Sequence, residues 1–282
     1  MKVAVLLTCH NRKDKTDICL SSFFNATKEI NACSFDIYLV DDGSTDGTDK
    51  LVLEKYTKVI YIKGNGNLFW AGGMRLAWQT ALDSKIDYKG FLLVNDDVEF
   101  IDNFWDKILI TQQWSIKNYN NDGIYTLSTK DKNTAKVTYG GHYLKKRLFK
   151  HTTIRVEPTG VPQLCDTTNA NILYVSSDVV KKIGILDSHF THSLADLDYS
   201  LTARKKGFSA LVCPGYGGFC QNDHKEDIMA STNKIRERIK ILYDPKGVAF
   251  NEYLYYLKKH FWWKAPYAFF ALWRDTLWKR KG

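Results

Sequence analysis

The chain has 282 residues, 44% of them hydrophobic and 25% charged, with a formal net charge of +9. These figures suit a folded globular protein with one sizeable domain, and they exclude a disordered or fibrous chain. The charge is polarised: residues 234–282 carry 12 Lys/Arg against 4 Asp/Glu, so the preceding residues are close to neutral. A near-neutral body with a basic tail implies that the tail meets something anionic.

No apolar stretch approaches the roughly 20 residues of a membrane-spanning helix. The opening apolar run at residues 3–7 is too short for a signal peptide and leads directly into Thr8-Cys9-His10-Asn11. Six cysteines without a CxxC pair or zinc-type spacing read as reduced, buried and cytosolic.

In chain order, residues 3–8 predict a strand, 13–27 a helix, 36–40 a second strand, and 46–56 a helix capped by Thr45 or Asp46. A third strand is expected at 59–62, a helix at 71–84 and a fourth strand at 91–94. This alternation implies right-handed βαβ units and a mostly parallel sheet. The pattern then blurs: 105–118 reads as helix, 119–133 as turn-rich, and 137–154 as a hairpin bearing Lys145-Lys146-Arg147. Residues 172–176 resume the strand pattern, with helices at 177–183 and 195–206. Beyond Asp223, helices are expected at 225–243, 247–260 and 266–280. The simplest division is one domain over 1–243, in two halves (1–100 and 101–243), followed by a basic, aromatic helical extension over 244–282.

Parallel sheets bind ligands at the carboxyl ends of their strands, and the polar clusters fall there: residues 8–12, Asp41-Asp42, 64–73, and Asn95-Asp96-Asp97. Adjacent carboxylates after a buried strand repel one another unless a cation or donor lies between them. A hard divalent ion, Mg²⁺ or Mn²⁺, suits such a pair; helix capping by Asp96 or Asp97 is the competing explanation. Glycines at 64–73 permit close backbone approach, and the N–H groups opening the following helix favour a phosphate. Position 69 is Phe, so a dinucleotide fingerprint is excluded. Trp70 is read as stacking on a sugar ring, the alternative being simple packing.

The segments "TCHNR" and "VDDGSTDGT" resemble the nucleotide-binding start of family 2 glycosyltransferases, which have the GT-A fold: a Rossmann-like, mostly parallel sheet flanked by helices. The resemblance implies that Asp41 hydrogen-bonds the donor base and Asp96 the ribose, with Thr8, His10, Asn11 and Arg12 lining the base pocket. Asn95-Asp96-Asp97 sits where the family usually reads Asp-x-Asp, with Asp97 as metal ligand and Asn95 a departure from the pattern. Asn67, Trp70, Gly72 and Gly73 match the "N-x-G-x-x-G-G" donor loop. Residues 195–207, "ADLDYSLTARKKG", resemble the acceptor-side acid motif, which makes Asp196 the catalytic base. Asp198 orients the helix or contributes on the acceptor side, and Arg204 pairs with a carboxylate; Ala195 replaces the usual acidic residue. His224 matches a histidine that completes the metal site, and His189 and His192 fall near the acceptor.

These matches imply an inverting, metal-dependent transfer from a UDP- or dTDP-linked sugar to a glycan or lipid-linked acceptor. The loop "GNLFWAGGM" is similar to those of transferases that build rhamnose- or galactofuranose-containing surface polysaccharides. The alternatives are a sugar-phosphate nucleotidyltransferase, which would need a Gly-rich basic loop after strand one, and an inactive scaffold of the same fold. Half of the eight tryptophans lie in the tail. Trp, Tyr and cations favour an anionic membrane interface, so a peripheral protein at the inner face of the membrane is expected, with a homodimer contact as the competing explanation and no nucleic-acid binding.

Overall fold

The computed structural model describes residues 1–145, 147–221, 232 and 234–278. The first third alternates as expected: β1 (Lys2–Cys9), α1 (Lys13–Thr27), β2 (Ser34–Asp41), α2 (Thr48–Lys55), β3 (Val59–Lys63), α3 (Phe69–Asp83) and β4 (Gly90–Asn95). Helix α2 starts later than predicted. Asp46 caps not through the helix proper but by accepting the Thr48 and Lys13 N–H groups at 3.1 and 2.9 Å, while Gly47 turns in the left-handed region at φ +85°.

The second part contains β5 (Glu99–Phe100), α4 (Phe104–Tyr119), β6 (Ile124–Lys130), β7 (Val137–Tyr139), β8 (Gly141–Leu144), β9 (Thr153–Arg155), β10 (Gln163–Leu164), β11 (Thr167–Thr168), β12 (Ile172–Ser176), α5 (Ser177–Ile183), α6 (Ala195–Lys205) and β13 (Ala210–Phe219). Two of these correct the sequence reading. The stretch expected to be turns contains β6, and no strand was expected at β13. The hairpin expected over 137–154 is narrower: β8 and β9 pair antiparallel, whereas β7 joins β6. Helices α7 (Ile235–Tyr243), α8 (Phe250–Phe261) and α9 (Ala265–Leu277) close the chain, with a 3-10 turn at Trp262–Lys264.

The large sheet runs β10-β13-β6-β12-β4-β1-β2-β3, and β11-β8-β9 form a small second sheet. Strands β1, β2, β3 and β4 are mutually parallel where they pair, while β12 enters antiparallel between β4 and β6. Alternating residues of β1 feed two cores. Val3, Val5 and Leu7 pack with α1 and α4, and Ala4 and Leu6 pack with α3, α5 and α6. The second core also takes Tyr256 and Leu257 of α8 and Ala265 and Ala268 of α9, so the terminal helices share the interior of the sheet-bearing fold. All six cysteines are free and buried. Among the described residues, no helix is long and apolar enough to cross a membrane.

The parallel register aligns the strand ends. Cys9 pairs with Asp41, Thr8 with Asn95, and Asp41 with Lys63. Because β12 is antiparallel, its start at Ile172 lies opposite Val94, so residues 169–171 reach the same rim.

Two histidines bear on stability. Burial, with Arg155 adding to it, pushes His142 down to about 4; burial, Lys264 and His260 do the same for His151, whose ring lies 4.9 Å from Phe261. Both stay neutral in the fold, whereas an unfolded histidine takes its proton near pH 6.5. Their contribution is therefore complete above about pH 6.5 and lost as pH falls toward 4. Urea midpoints are expected to drop between pH 7.5 and 5, and His142→Gln/His151→Gln is expected to flatten that drop; an unaltered pH dependence in the double variant would remove these groups from the account.

Candidate active site

Asp42 organises the rim. Its buried carboxylate accepts the N–H groups of Gly66 at 2.8 Å and of Leu68 and Phe69 at 2.9 Å each. Position 64 must be glycine, since a Cβ there would lie 2.8 Å from the Asp42 Cα. The N-terminus of α3 thus already holds an anion, namely this side chain, and the Ala71 N–H is taken by the Thr191 carbonyl at 3.1 Å. The expectation that these N–H groups cradle a phosphate is corrected accordingly.

Asp41 is also turned inward, accepting from Ser44 N at 2.9 Å and from the Tyr61 hydroxyl at 3.0 Å. His10 Nδ1 lies 2.7 Å from the Asp42 carbonyl, and the Asn11 Oδ1 accepts the Thr45 N–H at 2.7 Å. These two residues fasten the loop after β1 to the turn after β2. Gly73 abuts Thr8: a Cβ at this position would overlap the Thr8 side chain, so this glycine serves the packing of α3 on β1. Gly72 lies in the first turn of α3 beside Leu68, and Asn67 is exposed, its N–H donating to Asn65 Oδ1 at 2.9 Å. Trp70 donates its indole N–H to Asn95 Oδ1 at 2.8 Å, which gives the departing Asn95 a partner and orients the ring.

Arg12 does not turn toward a base pocket. Its guanidinium bridges Asp96 Oδ1 and Asp97 Oδ2, each at 3.0 Å. Burial pushes the Asp96 carboxyl up to about 7, against the pull of Arg12 and with help from Asp97. Asp96 Oδ2 has no hydrogen-bond partner among the described residues, and Asp97 keeps 10% of its side chain exposed. An orphaned carboxylate oxygen beside a second carboxylate is the hard-oxygen donor set that Mg²⁺ or Mn²⁺ takes, so the pair fits such an ion. Among the described residues, no three His, Cys, Asp or Glu side chains cluster as a complete site. His224 lies outside the described residues.

Asp196 sits at the start of α6, accepting Leu197 N at 2.9 Å and Ala170 N at 3.2 Å. Burial pushes its carboxyl up despite these bonds. The segment 169–171 links it to the aspartate pair: Asn171 carbonyl accepts Asn95 N at 3.1 Å, Asn171 Nδ2 reaches Cys220 Sγ at 3.5 Å, and Cys220 Sγ lies 3.4 Å from Asp97 Oδ1. Asp97 and Asp196 therefore border one short stretch of chain.

Asp198 is placed elsewhere. Two residues on along a helix is about 200° around it, so Asp198 faces α8, where Lys259 Nζ and His260 Nε2 bind it at 2.9 and 2.7 Å. Its acceptor-side reading is corrected to one of holding α6 against α8. Arg204 pairs with Asp166. His189 stacks on Tyr255 at 4.0 Å and bonds Asp187, so it braces α8, whereas His192 meets Phe69 edge-on at 6.3 Å, at the start of α3. Sequence reasoning put Asp42 on the rim without giving it a role, and it missed Tyr61 and Lys246, whose ammonium lies 5.7 Å from the Phe69 ring. The doubled aspartate at 41–42 was the available signal for Asp42.

A mostly parallel sheet whose carboxyl rim gathers five aspartates from three segments defines a transferase of the GT-A class. The chain belongs to glycosyl transferase family 2, whose model matches residues 4–170, more than half of its length; this sets aside a nucleotidyltransferase. It is similar in fold to a mannosyltransferase of Pyrobaculum calidifontis solved with GDP-Man and Mn²⁺ (TM-score 0.52, 14% identity, 95% of this chain and 74% of that one). It is likewise similar to S. aureus TarS 1-349 in complex with UDP-GlcNAc (0.56, 14%, 98% and 80%). GalNAc-T7 with UDP, GalNAc and Mn²⁺ is a third (0.58, 12%, 86% and 47%). No curated protein sequence matches significantly.

Asp42→Ala leaves three backbone N–H groups unpaired, a loss of about 3 kcal/mol. Amide exchange at Gly66, Leu68 and Phe69 is expected to accelerate with it; unchanged exchange at these three amides would deny Asp42 its organising role.

Proposed function

We propose that the protein transfers a sugar from a nucleotide-diphosphate donor to an acceptor hydroxyl with inversion, as a step in building a surface polysaccharide. The observation that carries this reading is the shared border of Asp97 and Asp196 along residues 169–171. The solved relatives in complex with GDP-Man, UDP-GlcNAc and UDP with GalNAc support a nucleotide-sugar donor. The UDP- and dTDP-linked sugars are the donors to test first.

Asp196 takes the proton of the acceptor hydroxyl as its oxygen bonds to the anomeric carbon. The bond from that carbon to the diphosphate oxygen breaks on the opposite face, and the nucleoside diphosphate leaves with the electron pair. The upward push on Asp196 from burial makes it a better proton acceptor than an exposed carboxylate. Asp96 and Asp97 would hold a divalent ion, which supplies neutralising charge to the diphosphate when bound; complexes of two relatives with Mn²⁺ support that choice. Arg12, bridging both carboxylates, holds the pair in place and lowers their mutual repulsion. Trp70, fixed by Asn95, offers a ring face to the sugar. The acceptor is a glycan, free or lipid-linked. The enzyme works at the inner membrane face, its basic tail meeting anionic lipid.

Asp196→Asn is expected to bind UDP or dTDP within about twofold of the unmodified protein by calorimetry while transfer falls on the order of 10²- to 10⁴-fold. Turnover close to that of the unmodified enzyme would strip Asp196 of the base assignment.

A further inference from the structure

The outer face of α9 reverses the usual pattern of a surface helix, which turns polar residues to water. Its exposed positions recur at helical spacing, Trp263, Tyr267, Phe270, Arg274 and Trp278, while Ala265, Ala268 and Thr276 turn inward. Phe270 and Trp278 are 71% and 68% exposed, and Trp262 in the preceding turn 72%. This apolar stripe does not end with the helix. The tip of the β8–β9 hairpin lies alongside it, with Leu148 at 68% and Phe149 at 54% exposure. The Phe149 and Tyr267 rings are 5.7 Å apart, and Lys264 Nζ donates to the Lys150 carbonyl at 3.1 Å, fastening the tip to the helix.

Within these two segments the charge is almost all positive. Arg147, Lys150, Lys258 and Arg274 are exposed, residues 141–155 hold no acidic side chain, and Asp275, the single one within 258–278, is paired with Arg274 at 2.7 Å. Aromatic side chains ringed by cations match the interface of an anionic bilayer, where rings sit at headgroup depth and cations meet phosphates. A face between copies of the chain would bring these cations together.

We infer that the β8–β9 hairpin tip and α9 form one composite surface that docks on an anionic phospholipid bilayer, Leu148 and Phe149 entering the lipid beside Phe270 and Trp278. This rests on the proposal that the tail meets lipid and extends it to a second, distant segment that belongs to the catalytic fold. Docking then fixes the orientation of the whole domain, because the hairpin tip and α9 meet the membrane as one face fastened together, whereas a tail alone would tether it loosely.

The test is flotation of the full chain with vesicles of phosphatidylcholine containing phosphatidylglycerol. Leu148→Ser/Phe149→Ser and Phe270→Ser/Trp278→Ser are each expected to lower the bound fraction roughly tenfold or more, from the apolar area withdrawn from lipid. Arg147→Glu/Lys150→Glu is expected to abolish the preference for phosphatidylglycerol. On the unmodified protein, the same vesicles are expected to slow amide exchange at residues 147–152 together with 263–278, a measurement independent of any variant's folding. If the tail variant fails to bind while Leu148→Ser/Phe149→Ser binds fully and residues 147–152 gain no protection, the composite face is wrong and the tail proposal stands. If the unmodified chain does not float, both fall. A dimer by light scattering that Leu148→Ser/Phe149→Ser dissociates would make the face a contact between copies and overturn the inference.

Discussion

Negative charge at the end of buried strands is the constraint around which this molecule is arranged. Asp41, Asp42, Asp96, Asp97 and Asp196 gather at one rim, and a carboxylate removed from water must be given donors or a cation. The fold meets this in two ways. Asp42 and Asp196 are satisfied by backbone N–H groups, and Asp41 by one such group and a tyrosine hydroxyl. Asp96 and Asp97 receive a single shared guanidinium and leave one oxygen orphaned. The carboxylates that shape the loops thus have a donor on each oxygen, and the pair left short of positive charge is the one suited to a ligand that brings its own.

The first half of the fold was legible because its strands and helices carry their own periodicity. Residues 3–8, 59–62 and 91–94 are apolar runs between turns, and α1 and α5 have the predicted bounds. Strand β6 was not legible, because its inward positions include Thr126, Ser128 and Thr129. These small polar residues satisfy bonds within the fold, Thr129 to Thr138 at 2.8 Å and Thr126 to the Asn169 carbonyl at 3.2 Å. A buried strand that is half polar looks like a loop when only hydrophobicity is counted. Strand β13 was hidden by Pro214, Gly215, Gly217 and Gly218, which read as punctuation. Here the glycines answer close approach: a Cβ at Gly217 would press on Leu127 and Ile172.

The site divides along the same line. Which residues gather at the rim follows from strand order and register, so the sequence could place Arg12, Asp41, Asn95, Asp96 and Asp97 together. What each side chain does there depends on partners from distant segments. Arg12 turned from an expected base pocket to the Asp96–Asp97 pair 84 and 85 residues away, and no local pattern encodes that choice. The anion-binding amides of α3 were recognised correctly as a type, but their occupant is internal.

The terminal helices have a part in the geometry around Asp196. Asp196 and Asp198 stand on opposite flanks of α6, one toward the rim and the other locked to Lys259 and His260 of α8. Lys259 also binds Asp187, Tyr255 donates to the same carboxylate at 2.9 Å, and Glu252 accepts the Thr191 N–H at 3.1 Å. Burial draws the Asp187 carboxyl upward, yet its bonds to His189, Lys259 and Tyr255 hold it below the ordinary carboxylate range. Arg75 of α3 completes the brace by donating to the Asp187 and Phe190 carbonyls at 3.1 and 2.7 Å. The loop ahead of Asp196 is therefore held from both sides, by α3 and by α8. A displacement of α8 would move Asp198 and Asp187 together, and with them the helix that carries Asp196. The charged residues of the tail, read from composition as a surface for something external, include two, Lys259 and His260, whose positive or hydrogen-bonding ends point inward and set where α6 and its Asp196 stand.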